Sequence, residues 1–272
     1  MFAILTIARR ELAEGMRNRW VVSMTVVMAA LAGTIAALGS APTGSTATGA
    51  LDVVVVGLAS LTIFLVPLIA LLLSHDSITR EAERGTLLLL LSHPLARWQV
   101  VAGKFLGQLA ILTLATVIGF GCAAVFVIFG HGAEGWQAFV YMTAASILLG
   151  AAFLGLGVLA SSLVQESSTA AGIAIGLWLF LVALYDMALL AALVARGGHA
   201  VPGALMDLAL LANPTDAYRL LTLGEGASAM LSGMGGVYDN SHLTPALLVA
   251  ALLAWCLLPL ALAMTAFSRR NL

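Results

Sequence analysis

Charged residues are scarce in this sequence. Only 9% of its 272 residues are Asp, Glu, Lys or Arg, whereas 61% are hydrophobic. A soluble globular domain carries about 25% charged residues. Because so few charges cannot keep so apolar a surface in water, we predict a membrane protein whose surface is mostly covered by lipid.

Cysteine and the common catalytic motifs are also scarce. Cys122 and Cys256 each lie inside an apolar run, so the sequence predicts neither a disulfide scaffold nor a Cys-x-x-Cys metal pair. It has no Walker A loop, no Gly-x-Ser-x-Gly elbow and no His-Glu-x-x-His pair. We therefore predict no catalytic residue and no cofactor in this chain. A net charge of −1 without a basic domain gives no indication of nucleic-acid binding.

Histidine and methionine do not form a compact ligand set either. Met230 and Met234 are the one pair spaced by four residues among the residues that we place on the outer face. Gly233 and Gly235 disfavour a stable helix there. We predict no metal site in this chain.

The apolar runs predict an all-α membrane protein in a single domain, residues 1–272. An amphipathic helix over 1–19 is expected to lie in the membrane plane, with Phe2, Leu5, Ala8, Leu12 and Met16 on its apolar face. Six transmembrane spans follow. They are predicted at 20–39, 51–74, 105–130, 137–163, 170–194 and 244–267.

The positive charges predict the orientation. Ten of the 12 Lys and Arg residues fall on the side that holds both termini and the loop 75–104. Because positive residues are retained in the cytoplasm, this side is predicted to be cytoplasmic and the protein to lie in the bacterial inner membrane. The segment 197–243 is then on the outer, periplasmic side, where we expect two short helices on the rim, broken at Asn213-Pro214 and with Thr215 or Asp216 as the cap of the second.

The loop 75–104 carries the most specific pattern. Glu81-Ala82-Glu83-Arg84-Gly85-Thr86 is followed by five leucines and then by Ser92-His93-Pro94-Leu95-Ala96-Arg97. Gly85 can break the continuation of span 2, Thr86 can cap a short new helix, and Pro94 can end that helix. Two hypotheses fit: a helix that docks on a partner, or an ordinary positive-inside loop whose leucines rest on lipid.

Asp186 is a carboxylate well inside span 5. A charge at this depth costs about 2.5–3.5 kcal/mol on insertion scales, so it should face a partner, a cavity or a dimer seam. Arg196 lies about 15 Å further along the helix and cannot be its direct partner. A functional and a structural role both remain possible on this evidence.

The stretch from Glu81 to Lys104 resembles the loop between spans 2 and 3 of ABC-2-type ABC-transporter permeases, whose pattern is Glu-x-x-x-Gly-Thr, leucines, Ser-x-Pro-Leu-x-Arg and Gly-Lys. The resemblance implies a homodimeric, non-catalytic permease and a coupling helix that docks on a cytoplasmic ATPase, which binds the ATP and Mg. It also implies a weaker second contact at Gln165 and Glu166. The implied coupling residues are Glu81, Gly85, Thr86, Leu88, Leu91, Pro94 and Arg97.

Within that family, the sequence around Asn213 to Leu220 resembles permeases of nitrous-oxide reductase maturation systems. This resemblance implies a periplasmic β-helical partner and a role in assembling a copper–sulfide centre. The implied outer contacts are Met206, Asn213, Asp216, Tyr218 and Arg219. The alternatives are an exporter of a lipid or small hydrophobic compound, and a membrane anchor without an ATPase.

Overall fold

The computed structural model describes residues 2–39, 48–85, 96–131, 136–195, 202–232 and 243–269. These residues are almost entirely helical and include no strand. Six helices among them are long and apolar enough to cross a membrane, which confirms the predicted all-α membrane fold.

Five spans are single helices of 21 to 35 residues, and span 5 has three segments. Helix α1 (Phe2–Met16) precedes them. Spans 1 to 4 are α2 (Arg19–Gly39), α3 (Thr48–Ser74), α5 (Arg97–His131) and α6 (Trp136–Leu163); span 5 is α7 (Ser167–Trp178), a π-helical turn (Leu179–Leu184) and α8 (Tyr185–Ala195); span 6 is α11 (Pro245–Arg269). Helices α4 (Thr79–Glu83), α9 (Gly203–Leu211) and α10 (Pro214–Ser232) lie between spans, and α10 is kinked at Gly224, where the backbone is not helical.

Span 3 begins earlier than the sequence indicated. The loop was predicted to continue to 104, but the helix starts at Arg97. Its first turns hold the polar residues Gln99, whose Oε1 accepts from the backbone N–H of Ala96, and Lys104, which pairs with Glu81 elsewhere in the chain. Hydropathy alone missed this helical start because it places a span only where the residues are apolar.

Span 4 is the central helix of the bundle. In its most apolar stretch 72% of the residues are buried, compared with 11% in that of span 5. Gly155 packs on span 6 so closely that an added Cβ would lie 2.8 Å from the carbonyl oxygen of Cys256. An added Cβ at Gly157 would collide with Ser74 at the end of span 2. These glycines therefore allow spans 2 and 6 to approach span 4 closely.

Helix α1 packs on span 3 through Ile7 and Glu11, which lie at Gly103 and Gly107. Because these two glycines carry no side chain, α1 approaches span 3 closely there. Leu5 and Met16, on the predicted apolar face, are 64% and 51% exposed and do not take part in this contact. The in-plane position of α1 stays a prediction.

The outer helices α9 and α10 do not lie only on the rim. The hydroxyl groups of Tyr218 and Ser146 are 3.0 Å apart, and Ser146 lies ten residues into span 4, about 15 Å from its Trp136 end. Because a bilayer core is about 30 Å thick, the first turns of α10 reach about half its depth. The predicted break at Asn213-Pro214 is confirmed, and Asn213 caps α10 in place of the predicted Thr215 or Asp216.

Candidate functional site

A charge cluster lies where α1, α4 and the start of span 3 meet. The ammonium of Lys104 is 2.9 Å from Oε1 of Glu81 on α4 and 3.4 Å from Oε2 of Glu11 on α1. The Lys104 side chain is only 5% exposed. A buried ammonium is tolerated when carboxylates lie beside it, so Lys104 holds three separate elements together.

The sequence analysis did not select Lys104 or Glu11 as site residues. Gly103 and Gly107 make their contact possible, because an added Cβ at Gly107 would lie 2.9 Å from the backbone oxygen of Ala8. The close approach of α1 brings Glu11 to Lys104. The sequence did contain one indication of this site: Lys104 directly follows Gly103 and precedes an apolar run.

The turn after span 2 is fixed to span 4. The backbone N–H groups of Ile78 and Thr79 donate to the buried hydroxyl of Ser161 at 3.0 and 3.2 Å. Asp76 and Arg80 form an ion pair across the same turn. A displacement of α4 would therefore be transmitted directly to span 4.

Helix α4 also contacts the start of span 5. The backbone N–H of Ser167 donates to Oε1 of Glu83 at 2.6 Å. Gln165 and Glu166, the predicted second cytoplasmic contact, immediately precede Ser167. The structure therefore places the α4 and 165–166 segments side by side, although they are distant in sequence.

Gly85 ends α4 in the left-handed region, with φ of 70°. This confirms the predicted break after span 2, because residues with a side chain rarely adopt this backbone conformation. Thr86, Leu88, Leu91 and Pro94 lie outside the described residues.

Arg97 begins span 3, and its side chain contacts the C-terminal end of span 6. Its guanidinium donates to the carbonyl oxygens of Phe267 and Ser268 at 3.4 and 3.1 Å. A cation at a helix C-terminus is stabilised by the exposed carbonyls there. The ATPase contact predicted for Arg97 stays a prediction, and the contact that is present ties span 3 to span 6.

A second charge cluster lies toward the other end of the bundle. The guanidinium of Arg219 is 2.9 Å from the carboxylate of Asp186 and 2.7 Å from that of Asp216. Arg219 is thus the partner of Asp186 that the sequence did not identify. It was missed because it lies in another helix and had been assigned to an outer surface.

Asp216 is completely buried in this cluster. Burial and the nearby charge of Asp186 raise the pKa of Asp216, Arg219 opposes them, and the net pKa is about 7.

Asn213 and Thr215 fasten the outer helices to the middle of span 5. Both side chains donate to the carbonyl oxygen of Leu181, at 3.0 and 3.2 Å, and the backbone N–H of Thr215 donates to Oδ1 of Asn213 at 3.1 Å. Leu181 lies in the π-helical turn. Such turns displace carbonyls from the regular helical ladder, which leaves them able to accept from a side chain.

Five residues that were predicted as outer contacts are buried within this chain. They are between 0% and 7% exposed: Met206, Asn213, Asp216, Tyr218 and Arg219. In this structure their side chains pack α9 and α10 against the spans. The outer contact predicted for them stays a prediction.

The chain was compared with known protein families and sequences. Residues 5–272 match the family model described as ABC-2 family transporter protein. The chain is 44% identical to a probable ABC transporter permease protein NosY from Pseudomonas aeruginosa and 43% identical to one from Stutzerimonas stutzeri. Each alignment covers 99% of this chain and 99% of the relative. With six membrane-spanning helices and this match over nearly its whole length, the chain belongs to the ABC-2 family of transporter permeases.

Proposed function

We propose that this chain couples ATP hydrolysis by a cytoplasmic, NosF-like ATPase to a periplasmic, NosD-like β-helical partner during assembly of the copper–sulfide centre of nitrous-oxide reductase. The observation that carries this proposal is the 44% and 43% identity, over 99% of the chain, to permeases named NosY. The predicted coupling pattern at 81–97 supports the ATPase contact. ATP and Mg bind in the partner, and this chain binds no cofactor.

The contacts of α4 give the proposed coupling a physical route. Movement of the ATPase displaces α4 and the segment that follows Gly85. The ion pairs of Lys104 pass this displacement to α1 and span 3. Ser161 and Ser167 pass it to spans 4 and 5. Both termini and α4 face the cytoplasm in this arrangement.

Span 5 then connects the two faces of the membrane. Its first residue, Ser167, contacts α4, and Leu181 in its middle holds Asn213 and Thr215 of the outer segment. A tilt of span 5 therefore moves α9 and α10 together. The periplasmic partner is proposed to dock on the surface of the 197–243 segment.

We also propose that the permease is a homodimer that meets along span 5. Gly172 and Gly176 are exposed, are spaced by four residues and have no neighbouring atom within 4 Å of an added Cβ. This spacing places both glycines on one helix face, where a second helix can approach closely. Only 11% of the residues in the most apolar stretch of span 5 are buried within the chain, so this face can contact a second copy.

Co-purification with the ATPase tests the proposal. The full-length chain, tagged and co-expressed with a NosF-like ATPase and a NosD-like β-helical protein, is expected to bring down both. Glu81→Gln is expected to leave membrane insertion intact and to lower the coupled ATPase activity of the complex. Glu14→Gln is the matched control, because Glu14 is 62% exposed and pairs only with Arg10 in the described residues.

Three results would contradict parts of the proposal. Recovery of the chain without any ATPase would support a membrane anchor instead. Recovery with an ATPase but without the β-helical protein, together with normal assembly of the copper–sulfide centre in a separate strain that lacks this chain, would support an exporter. Unchanged coupled activity in Glu81→Gln would remove α4 from the coupling route.

A further inference from the structure

Two carboxyl groups share one guanidinium where α10 packs on span 5. Nη2 of Arg219 is 2.9 Å from Oδ2 of Asp186, and Nη1 of the same side chain is 2.7 Å from Oδ1 of Asp216. The side chains of Arg219 and Asp216 are 8% and 0% exposed. Because they occupy the two terminal nitrogens of one guanidinium, the two carboxyl groups lie within hydrogen-bonding reach of each other.

One of the four carboxyl oxygens in this cluster lacks a donor. Arg219 donates to one oxygen of each carboxyl group, and Nδ2 of Asn213 donates to Oδ2 of Asp216 at 3.1 Å. Oδ1 of Asp186 is buried and accepts no hydrogen bond among the described residues. Buried acceptors are rarely left unsatisfied. A proton on one carboxyl group would make it a donor to the other and would complete the set.

The helices packed around the cluster bring no further charge to it. Asp207 is the one ionisable residue of α9, and it does not act on Asp216. Spans 2, 4 and 6 pack on α10, and their stretches 54–74, 136–163 and 245–268 contain no Asp, Glu, Lys, Arg or His. Compensation of a second negative charge by another helix is therefore absent from the described residues.

Tyr185 is the remaining titratable group beside the two carboxyl groups. Its hydroxyl donates to the carbonyl oxygen of Ala209 at 2.7 Å, so its proton is already used. With both carboxyl groups ionised, the cluster would hold one excess negative charge in a buried position, which is costly. A single added proton makes the cluster neutral, and it is also the donor that Oδ1 of Asp186 lacks.

We propose that Asp186 and Asp216 share one proton near neutral pH and that this proton latches α10 to span 5. The proton lies between Oδ1 of Asp186 and the Asp216 carboxyl group, and Arg219 balances the one remaining negative charge. The raised pKa of Asp216, about 7, agrees with this arrangement. The Asp186 side chain is 21% exposed, which gives the proton a route to and from the cluster.

Loss of the proton weakens the attachment of α10. The proton passes to water, and two carboxylates then repel each other across one guanidinium. Asn213, which donates to Asp216, also donates with Thr215 to the carbonyl oxygen of Leu181 in span 5. The repulsion therefore reaches the contacts that hold the outer segment against the spans. The latch does not depend on an ATPase or on a periplasmic partner.

Infrared spectroscopy of the purified full-length chain tests for the shared proton. The C=O stretch of a protonated carboxyl group is separate from the bands of a carboxylate, so each form is measured directly. We expect one protonated carboxyl group at about pH 6 that is lost by about pH 8. Asp186→Asn and Asp216→Asn should each lack this titrating band. Glu14→Gln is the control and should keep it, because Glu14 is 62% exposed and lies at the other end of the bundle.

Hydrogen exchange tests the latch. After correction for the intrinsic rate of exchange, the protection of the backbone amides of residues 215–223 should fall about tenfold between about pH 6 and about pH 8 in the wild-type chain. The protection of α1 should not change. In Asp216→Asn, whose side chain stays neutral, the protection of residues 215–223 should be equal at the two pH values.

A wild-type chain with no protonated carboxyl group at about pH 6 would overturn the shared proton. A titrating band that persists in both Asn variants would overturn its location. Equal protection of residues 215–223 at the two pH values, with the band lost as expected, would overturn the latch. If an Asn variant fails to fold, the infrared and exchange titrations of the wild-type chain still decide whether a proton is lost and whether α10 is released with it.

Discussion

Replacement of Lys104 by methionine removes the cation that joins α1, α4 and span 3. With an effective dielectric constant of about 20, the attraction is about 6 kcal/mol to a carboxylate at 2.9 Å and about 5 kcal/mol at 3.4 Å. Burying the ammonium costs several kcal/mol, and the Glu81 and Glu11 side chains remain 24% and 21% exposed. We therefore expect Lys104→Met to lower the free energy of unfolding by about 3–5 kcal/mol.

Thermal unfolding of the purified full-length chain in detergent measures this change. A loss of this size should lower the melting temperature by about 6–20 °C. Adding Glu81→Gln to Lys104→Met should restore part of it, because one of the two uncompensated carboxylates is then neutral. Arg84→Met is the control: Arg84 is exposed and forms no ion pair in the described residues, so its loss should change stability by no more than about 0.5 kcal/mol.

A melting temperature of Lys104→Met equal to that of Arg84→Met would contradict a stabilising role of the Lys104 ion pairs. So would a further loss of stability when Glu81→Gln is added to Lys104→Met, because the carboxylate would then be stabilising on its own. In the complex with the ATPase, Lys104→Met should uncouple hydrolysis at temperatures where the chain remains folded. Coupled activity at the wild-type level would remove the ion pairs from the proposed route.

Three further predictions concern the spans and the outer cluster. Gly172→Leu together with Gly176→Leu should convert the dimer to monomer in mass photometry, whereas Gly121→Leu, at an equally open glycine of span 3, should not. The free energy of unfolding should fall as pH rises from about 4 to about 7 and then level off. The reason is that Asp216 keeps its proton up to about pH 7 in the folded chain but loses it near 3.8 in the unfolded chain. In Asp216→Asn, the melting temperature should not show this dependence on pH. Gly157→Ala should cost about 1–3 kcal/mol, because its Cβ meets Ser74, and Gly121→Ala should cost less when both are melted in parallel.

Local sequence signals predicted the number and type of the long apolar helices. Six spans followed from six long apolar runs, because lipid-facing helices must be apolar along their whole length. The break at Gly85 and the break at Asn213-Pro214 were also predicted, since each depends on the backbone preferences of one or two residues. The start of span 3 was missed because its first turns are polar and are stabilised by partners elsewhere in the chain.

The candidate site was only partly visible in the sequence. Glu81 was predicted as a coupling residue, but its ion pair with Lys104 on span 3 was not predicted. Burial of Tyr218 and Arg219 could not be inferred from an outer segment of mixed polarity. A helix that enters between spans has no distinct hydropathy signal when its polar groups are satisfied by neighbouring helices.

The six apolar helices could be predicted from residue order alone, because each depends on the composition of contiguous residues. The position of Lys104 between Glu11 and Glu81, and the sharing of Arg219 by Asp186 and Asp216, became visible only in the folded chain. These pairs join helices that are far apart along the chain. Their formation depends on which helix faces approach closely, and that is fixed by packing at positions such as Gly103, Gly107 and the carbonyl of Leu181.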